Sequence, residues 1–134
     1  VAAPGAVIAL IGYGLIRVNP EMNTLIDELY YNRIGTYWDL ERKHIDQSYY
    51  SIPFPFHGID CPAFSIRCNW NLMQLTGYLS TWSACMHYRE KHGSDILTEL
   101  LPDFQRFWSN PQQIREIQFP VFCRSPSGKP GKFP

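Results

Sequence analysis

The feature that most constrains this 134-residue chain lies near its start. Pro4-Gly5 precedes an unbroken apolar run, Ala6-Val7-Ile8-Ala9-Leu10-Ile11, which closes on Gly12-Tyr13-Gly14. A run without polar alternation predicts a strand buried on both faces of a parallel sheet. Such a strand needs neighbours in register. The remaining sequence offers two more strands, too few to bury both faces of a sheet. The expectation is that the neighbouring strands lie upstream and are absent. The first strand is then exposed, rearranged or paired with a second copy of the chain.

Helix signals follow. Asn19-Pro20-Glu21 combines an N-cap, a proline suited to the first helical position and an acid for the positive helix start. The helix is predicted to reach Arg33, burying Met22, Leu25, Ile26, Leu29 and Tyr30, and to stop at Gly35. Asp39 is expected to cap a second helix ending near Gln47. Ile52-Pro53-Phe54-Pro55-Phe56-His57-Gly58 reads as an extended loop. Phe64 to Trp70 alternates, so Phe64, Ile66, Cys68 and Trp70 share the better-buried face of a strand.

Asn69 or Asn71 opens the longest predicted helix, which ends near His92 with Gly93 beyond it. Leu72, Leu75, Leu79, Trp82 and Met86 form its apolar stripe, and Thr76, Ser80, Ser83 and His87 a polar one. The polar stripe suits either solvent or the wall of a pocket. A short helix starts at Asp95, with Pro102 expected to break it, and a final turn or two reaches Trp108. Ile117 to Arg124 is the last strand, which Pro120 places at an edge or a bulge. Residues 125–134, rich in Ser, Pro, Gly and Lys, are expected to be a disordered tail.

Charge and cysteines exclude several classes. Twelve basic residues balance twelve acidic ones with no basic run, so nothing points to nucleic acid or an anionic membrane. No segment approaches the roughly 18 apolar residues of a membrane span. Cys61, Cys68, Cys85 and Cys123 fit no zinc spacing and read as reduced thiols, which suits a cytoplasmic setting. Aromatic residues make up 15% of the chain, enough either for dense core packing or for a ring-lined concave site.

Gly12-Tyr13-Gly14 follows a strand but is no dinucleotide fingerprint. The third glycine is replaced by Arg17, and the helix starts several residues too late for its amides to meet a pyrophosphate. The glycines instead suggest a sharp turn at the strand end, with Tyr13 either lining a crevice or packed in the core. His44, His57, His87 and His92 are scattered. Ser83 and His87 stand one helical turn apart and are positioned to share a hydrogen bond, yet no G-x-S-x-G elbow accompanies them.

Two stretches together resemble the class I S-adenosylmethionine-dependent methyltransferases. Pro4 to Gly14 resembles their fifth strand, where a Pro-Gly-Gly turn precedes an apolar run; Ala6 stands at the usual second glycine. Trp70 to Ala84, with its Leu79-Ser80-Thr81-Trp82-Ser83-Ala84 end, is similar to the late helix of the small-molecule branch typified by trans-aconitate methyltransferase. The Pro53-Phe54-Pro55-Phe56 loop and the closing strand fit the same outline.

The resemblance implies an α/β fold: the C-terminal portion of a Rossmann-like methyltransferase fold. Residues 1–124 would be strands five to seven with their intervening helices, and the first half of the sheet would be missing. Strands six and seven would form an antiparallel hairpin at one sheet edge. The implied cofactor is S-adenosyl-L-methionine, held mainly by the missing N-terminal part, and the implied partner is a small-molecule methyl acceptor. Tyr13, Tyr31, Trp38, Trp82, Ser83 and His87 are the acceptor-site candidates, His87 also as a base. Self-association through the unpaired first strand is a further expectation. The alternative is a non-catalytic module that completes its sheet with a partner chain.

Overall fold

The computed structural model describes residues 8–53 and 62–124. The Pro4-Gly5 turn, the loop from Phe54 to Gly58, Cys61 and the tail lie outside the described residues. The chain forms two compact units. The first comprises Val1–Leu15, Glu41–Ile66 and Phe119–Pro134, and the second Ile16–Leu40 and Arg67–Gln118.

Three strands, β1 (Leu10–Tyr13), β2 (Phe64–Trp70) and β3 (Arg115–Arg124), form a sheet in the order β1-β3-β2. The first strand is not in a parallel pairing: β1 runs antiparallel to β3, with Leu10 opposite Arg124 and Tyr13 opposite Val121. Ile11 is 66% exposed and Tyr13 is also exposed, so one face of β1 is open, while Leu10 and Gly12 on the other face are half-buried.

Gly12 lies inside β1, not in a turn after it. Its role is space. A Cβ there would come 2.5 Å from Phe122 Cζ, and that ring stands edge-on to Tyr49.

Pro120 occupies the middle strand, not an edge. Its carbonyl accepts the Gly14 N–H at 2.8 Å. A residue's N–H and C=O point to the same side of a strand, so the missing proline donor falls on the Gly14 pairing and spares the β2 side. Arg17 and Gln118 then exchange both backbone bonds, at 2.8 and 2.9 Å. Three steps from Gly14 to Arg17 match two from Pro120 to Gln118, which is the bulge a proline tolerates. β2 has the predicted bounds, but Phe64 and Ile66 are exposed and only Cys68 and Trp70 are half-buried.

In the second unit α1 (Pro20–Asp27) starts as the sequence dictates. Asn19 Oδ1 accepts the Met22 N–H at 2.9 Å, and Met22, Leu25 and Ile26 are buried. The winding then widens into a π-helical turn, Glu28–Arg33, and Ile34 N–H reaches back five residues to Leu29 O at 3.0 Å. Gly35 opens a 3-10 turn, Gly35–Tyr37. The short α2 (Arg42–Asp46) belongs to the first unit. Glu41, not Asp39, stands at its N-terminus, without a side-chain cap.

The predicted long helix is two helices, α3 (Leu72–Leu79) and α4 (Ser83–His92). Asn71 and Gln74 form a reciprocal capping box at the start of α3. At its end Ser80 Oγ donates to Gly77 O and Thr81 Oγ1 to Tyr78 O, both at 2.7 Å. Hydroxyls bonded back to local carbonyls compete with helix continuation. Trp82 is accordingly extended, at φ −64° and ψ 132°. The break resets the buried face: Ala84 and Cys85 are buried and Met86 is exposed. Gly93, at φ 69°, ends α4 in the left-handed conformation glycine favours.

Pro102 does not break the following helix. α5 (Ile96–Trp108) runs through it, capped by Asp95 Oδ1 on the Leu97 N–H at 3.0 Å. An interior proline costs about 3 kcal/mol. Burial of Ile96, Leu97, Leu100, Phe104 and Trp108 along one face offsets that cost.

At the end of α5 Ser109 sits at φ 67° and ψ −70°, and Asn110 N–H bonds Trp108 O at 2.9 Å, a strained γ-turn. Ser109 is exposed, so Ser109→Gly relieves the strain at no packing cost. It is expected to raise stability by about 1 kcal/mol in urea unfolding; an unchanged or lowered midpoint contradicts this.

Candidate functional site

The π-helical turn places neighbouring tyrosines in opposite environments. Tyr30 is buried, and Tyr31 is 60% exposed. Single π turns inside helices are frequent at functional sites. The Tyr30 ring is a hub for three others: Tyr31 stands edge-on at 4.9 Å, Trp38 lies at 4.7 Å, and Trp82 stands edge-on at 5.6 Å. Trp38 and Trp82 are themselves 5.6 Å apart, and Tyr78 meets Trp82 at 6.1 Å. The Trp38 Nε1–H donates to Tyr30 O at 3.1 Å, which holds the indole in place.

Three of the sequence candidates, Tyr31, Trp38 and Trp82, therefore form one aromatic wall. It grades from the buried Trp82 through the half-buried Trp38 to the exposed Tyr31. Tyr30, read from sequence as a core residue only, is the piece that joins them. Tyr78, near the end of α3, meets Trp82 across the helix break, a contact that helical spacing does not produce.

Ser83 follows Trp82 at the start of α4 and is half-buried. Among the described residues no hydrogen bond joins it to His87. The imidazole is held elsewhere: Nδ1 lies 2.9 Å from Tyr37 O. A carbonyl only accepts, so Nδ1 carries the proton and neutral His87 keeps its lone pair on Nε2. Asp39 Oδ1 stands 4.0 Å from Nδ1. The bond to Tyr37 O chiefly holds the His87 pKa above its ordinary value; desolvation, next in size, opposes it, and the charges of Asp39 and Glu90 add to the rise.

A pKa raised on folding means that this contribution to stability is complete below the ordinary value of 6.5. It is lost as pH rises through the folded value. The midpoint gap between the wild type and His87→Asn is thus expected to be widest in acid and to narrow above neutrality. A gap that grows with pH contradicts the assignment.

Tyr13 belongs to the first unit, where its exposed ring stands edge-on to Phe119 at 5.5 Å. The glycines beside it are occupied by their own chain, Gly12 by Phe122 and Gly14 by Pro120 Cγ, 3.2 Å from where a Cβ would be. At both positions the side-chain direction is therefore taken up by β3.

Burial, then Asp95, push the Cys85 thiol up to about 11, with Arg89 opposing, so it is not a nucleophile at neutral pH. Among the described residues no three His, Cys, Asp or Glu side chains group to hold a metal, and no helix is long and apolar enough to cross a membrane.

The fold is one found in methyltransferases. The solved structure of an inferred type II methyltransferase from Anaeromyxobacter dehalogenans matches with a TM-score of 0.87 and 36% identity, over 92% of this chain and 53% of that one. An inferred methyltransferase of Dictyostelium discoideum is 26% identical over 116 residues, which are 82% of this chain and 44% of that protein. The chain thus spans about half the length of these relatives. No family model matches it.

Proposed function

We propose that this chain is the acceptor-side part of an S-adenosylmethionine-dependent methyltransferase acting on a small molecule, with the fold portion implied by its resemblance to the trans-aconitate methyltransferase branch. The likeness to the Anaeromyxobacter protein carries this reading, because 36% identity spread over 92% of the chain exceeds what a shared fold alone needs. The donor supplies an electrophilic methyl group. The work left to these residues is to hold and orient the nucleophile and to exclude water. Trp38 and Tyr31 offer ring faces to an acceptor body, Trp82 stiffens them from beneath, and Ser83 and His87 are the polar groups of α4 closest in sequence to that wall.

The resemblance assigns the donor mainly to the family's N-terminal sheet half, and this chain spans about half the length of its relatives. Calorimetric titration with S-adenosylmethionine is expected to show no saturable binding to this chain alone, and binding to the longer protein that contains it. Tight binding to the 134-residue chain overturns that assignment. Absence of methyl transfer from labelled donor to any small acceptor by the longer protein overturns the reading itself. The exposed Ile11 on β1 supports a second reading, a module that completes its sheet with a partner chain. Light scattering of the isolated chain with and without the upstream segment separates the two.

A further inference from the structure

We propose that Tyr37 is the positioning residue of the aromatic wall, gripped at its carbonyl by His87 and at its hydroxyl by His92, so that the Trp38 ring is presented in one place. The inference deepens the methyltransferase reading and rests on it for the use of that wall by an acceptor. Trp38 needs such a support. It follows the 3-10 turn Gly35–Tyr37 in extended backbone, at φ −69° and ψ 143°, outside any helix or strand. No ladder of backbone bonds fixes where the indole begins. The last fixed point before it is Tyr37, whose N–H donates to Ile34 O at 2.9 Å.

One face of α4 holds that point. His87, Tyr88, Lys91 and His92 recur at the spacing of a single helix face. His87 Nδ1 donates to Tyr37 O at 2.9 Å, and His92 Nε2 lies 2.7 Å from the Tyr37 hydroxyl. The Tyr88 ring stacks on His92 at 4.3 Å and meets Tyr37 edge-on at 5.4 Å, which orients both rings. Lys91 Nζ lies 5.4 Å from the centre of the Tyr37 ring, within cation–π range. The main-chain and side-chain ends of one residue are thus bonded to two histidines of one helix. A phenol hydroxyl donates to a neutral imidazole and accepts from an imidazolium, and a carbonyl accepts from Nδ1–H in either state. The grip therefore does not depend on histidine charge. Beyond Tyr37, the indole completes the hold with its own bond to Tyr30 O at 3.1 Å. Tyr37 acts through Trp38 and is not a catalytic residue.

Hydrogen exchange of the indole N–H groups, followed by NMR on the 134-residue chain, tests this without donor or acceptor. Its failure is therefore separate from failure of the methyltransferase reading. Trp108 is the internal reference, fully buried and with its Nε1–H bonded to Gln113 O at 3.0 Å. A merely structural role speeds both indoles alike, because both then exchange through loss of the whole fold. Positioning speeds Trp38 and spares Trp108. Tyr37→Phe keeps the ring and removes the hydroxyl. It is expected to speed Trp38 exchange about 3- to 10-fold, the net effect of one hydrogen bond, with Trp108 unchanged. His92→Leu should do the same, and His92→Gln, whose amide oxygen can accept from the phenol, should restore the wild-type rate. His87→Leu and His87→Asn form a second such pair, since asparagine retains an N–H for the Tyr37 carbonyl. Unchanged Trp38 exchange in Tyr37→Phe, equal acceleration of the two indoles, or no difference between Gln and Leu at position 92 each overturns the proposal.

Discussion

Trp82→Ala is expected to remove about 3–5 kcal/mol of stability, the cost of emptying a buried tryptophan site. The indole is 7% exposed and meets the rings of Tyr30, Trp38 and Tyr78, so its loss leaves a cavity in the second unit with aromatic planes on several sides. Rings of that size relax poorly into a void. A whole domain has only roughly 5–15 kcal/mol to lose. Urea unfolding reads the change directly, provided the dependence on denaturant keeps its slope. Trp82→Phe retains a ring and is expected to cost markedly less. Tyr31→Ala, at the exposed end of the same wall, is expected to fall within about 0.5 kcal/mol of wild type. That contrast has functional use, because a loss of acceptor binding in Tyr31→Ala cannot be traced to unfolding. A Trp82→Ala protein as stable as the wild type removes the wall from the account of this fold.

Gly12→Ala is expected to cost about 1–3 kcal/mol through overpacking. The new methyl would lie 2.5 and 2.6 Å from Phe122 Cζ and Cε2, and 3.2 Å from Tyr49 Cε2. Phe122 has little room to give way, being buried and held edge-on to Tyr49 at 5.2 Å. The strain acts on the β1–β3 pairing, where Gly12 faces Phe122 in register. Phe122→Leu shortens the offending ring, so the double variant is expected to be more stable than the sum of the two single changes by about 0.5–3 kcal/mol. Strict additivity in the same unfolding assay contradicts a direct clash. A neutral Gly12→Ala returns the glycine to the turn-forming role read from sequence.

Those two sites mark where sequence reading succeeds and where it stops. Asn19, Asn71, Asp95 and Gly93 were legible as helix boundaries because each acts on backbone groups within a few residues of itself. The break at Ser80–Trp82 was not, since Leu72, Leu75, Leu79, Trp82 and Met86 fit one unbroken helix and the competing hydroxyl bonds carry no periodic signal. Pro102 misled in the opposite direction, because a strong local breaker lost to burial of a whole helix face. In the candidate site, Trp38 and Trp82 stood out as large aromatics. Nothing in the letters marked Tyr30 as their common neighbour or the Tyr37 carbonyl as the anchor of His87.

The amino-acid sequence by itself determined the starts of α1, α3 and α5, the left-handed stop at Gly93 and the two later strand segments, since the hydrogen bonds and periodicities that specify them are local. Only the tertiary structure decided that β3 lies between β1 and β2, that Gly12 makes room for Phe122, and that His87 is anchored by a carbonyl fifty positions earlier in the chain. Those outcomes depend on which distant surfaces pack together, and that choice is made by the summed burial of many side chains, none of which encodes it alone.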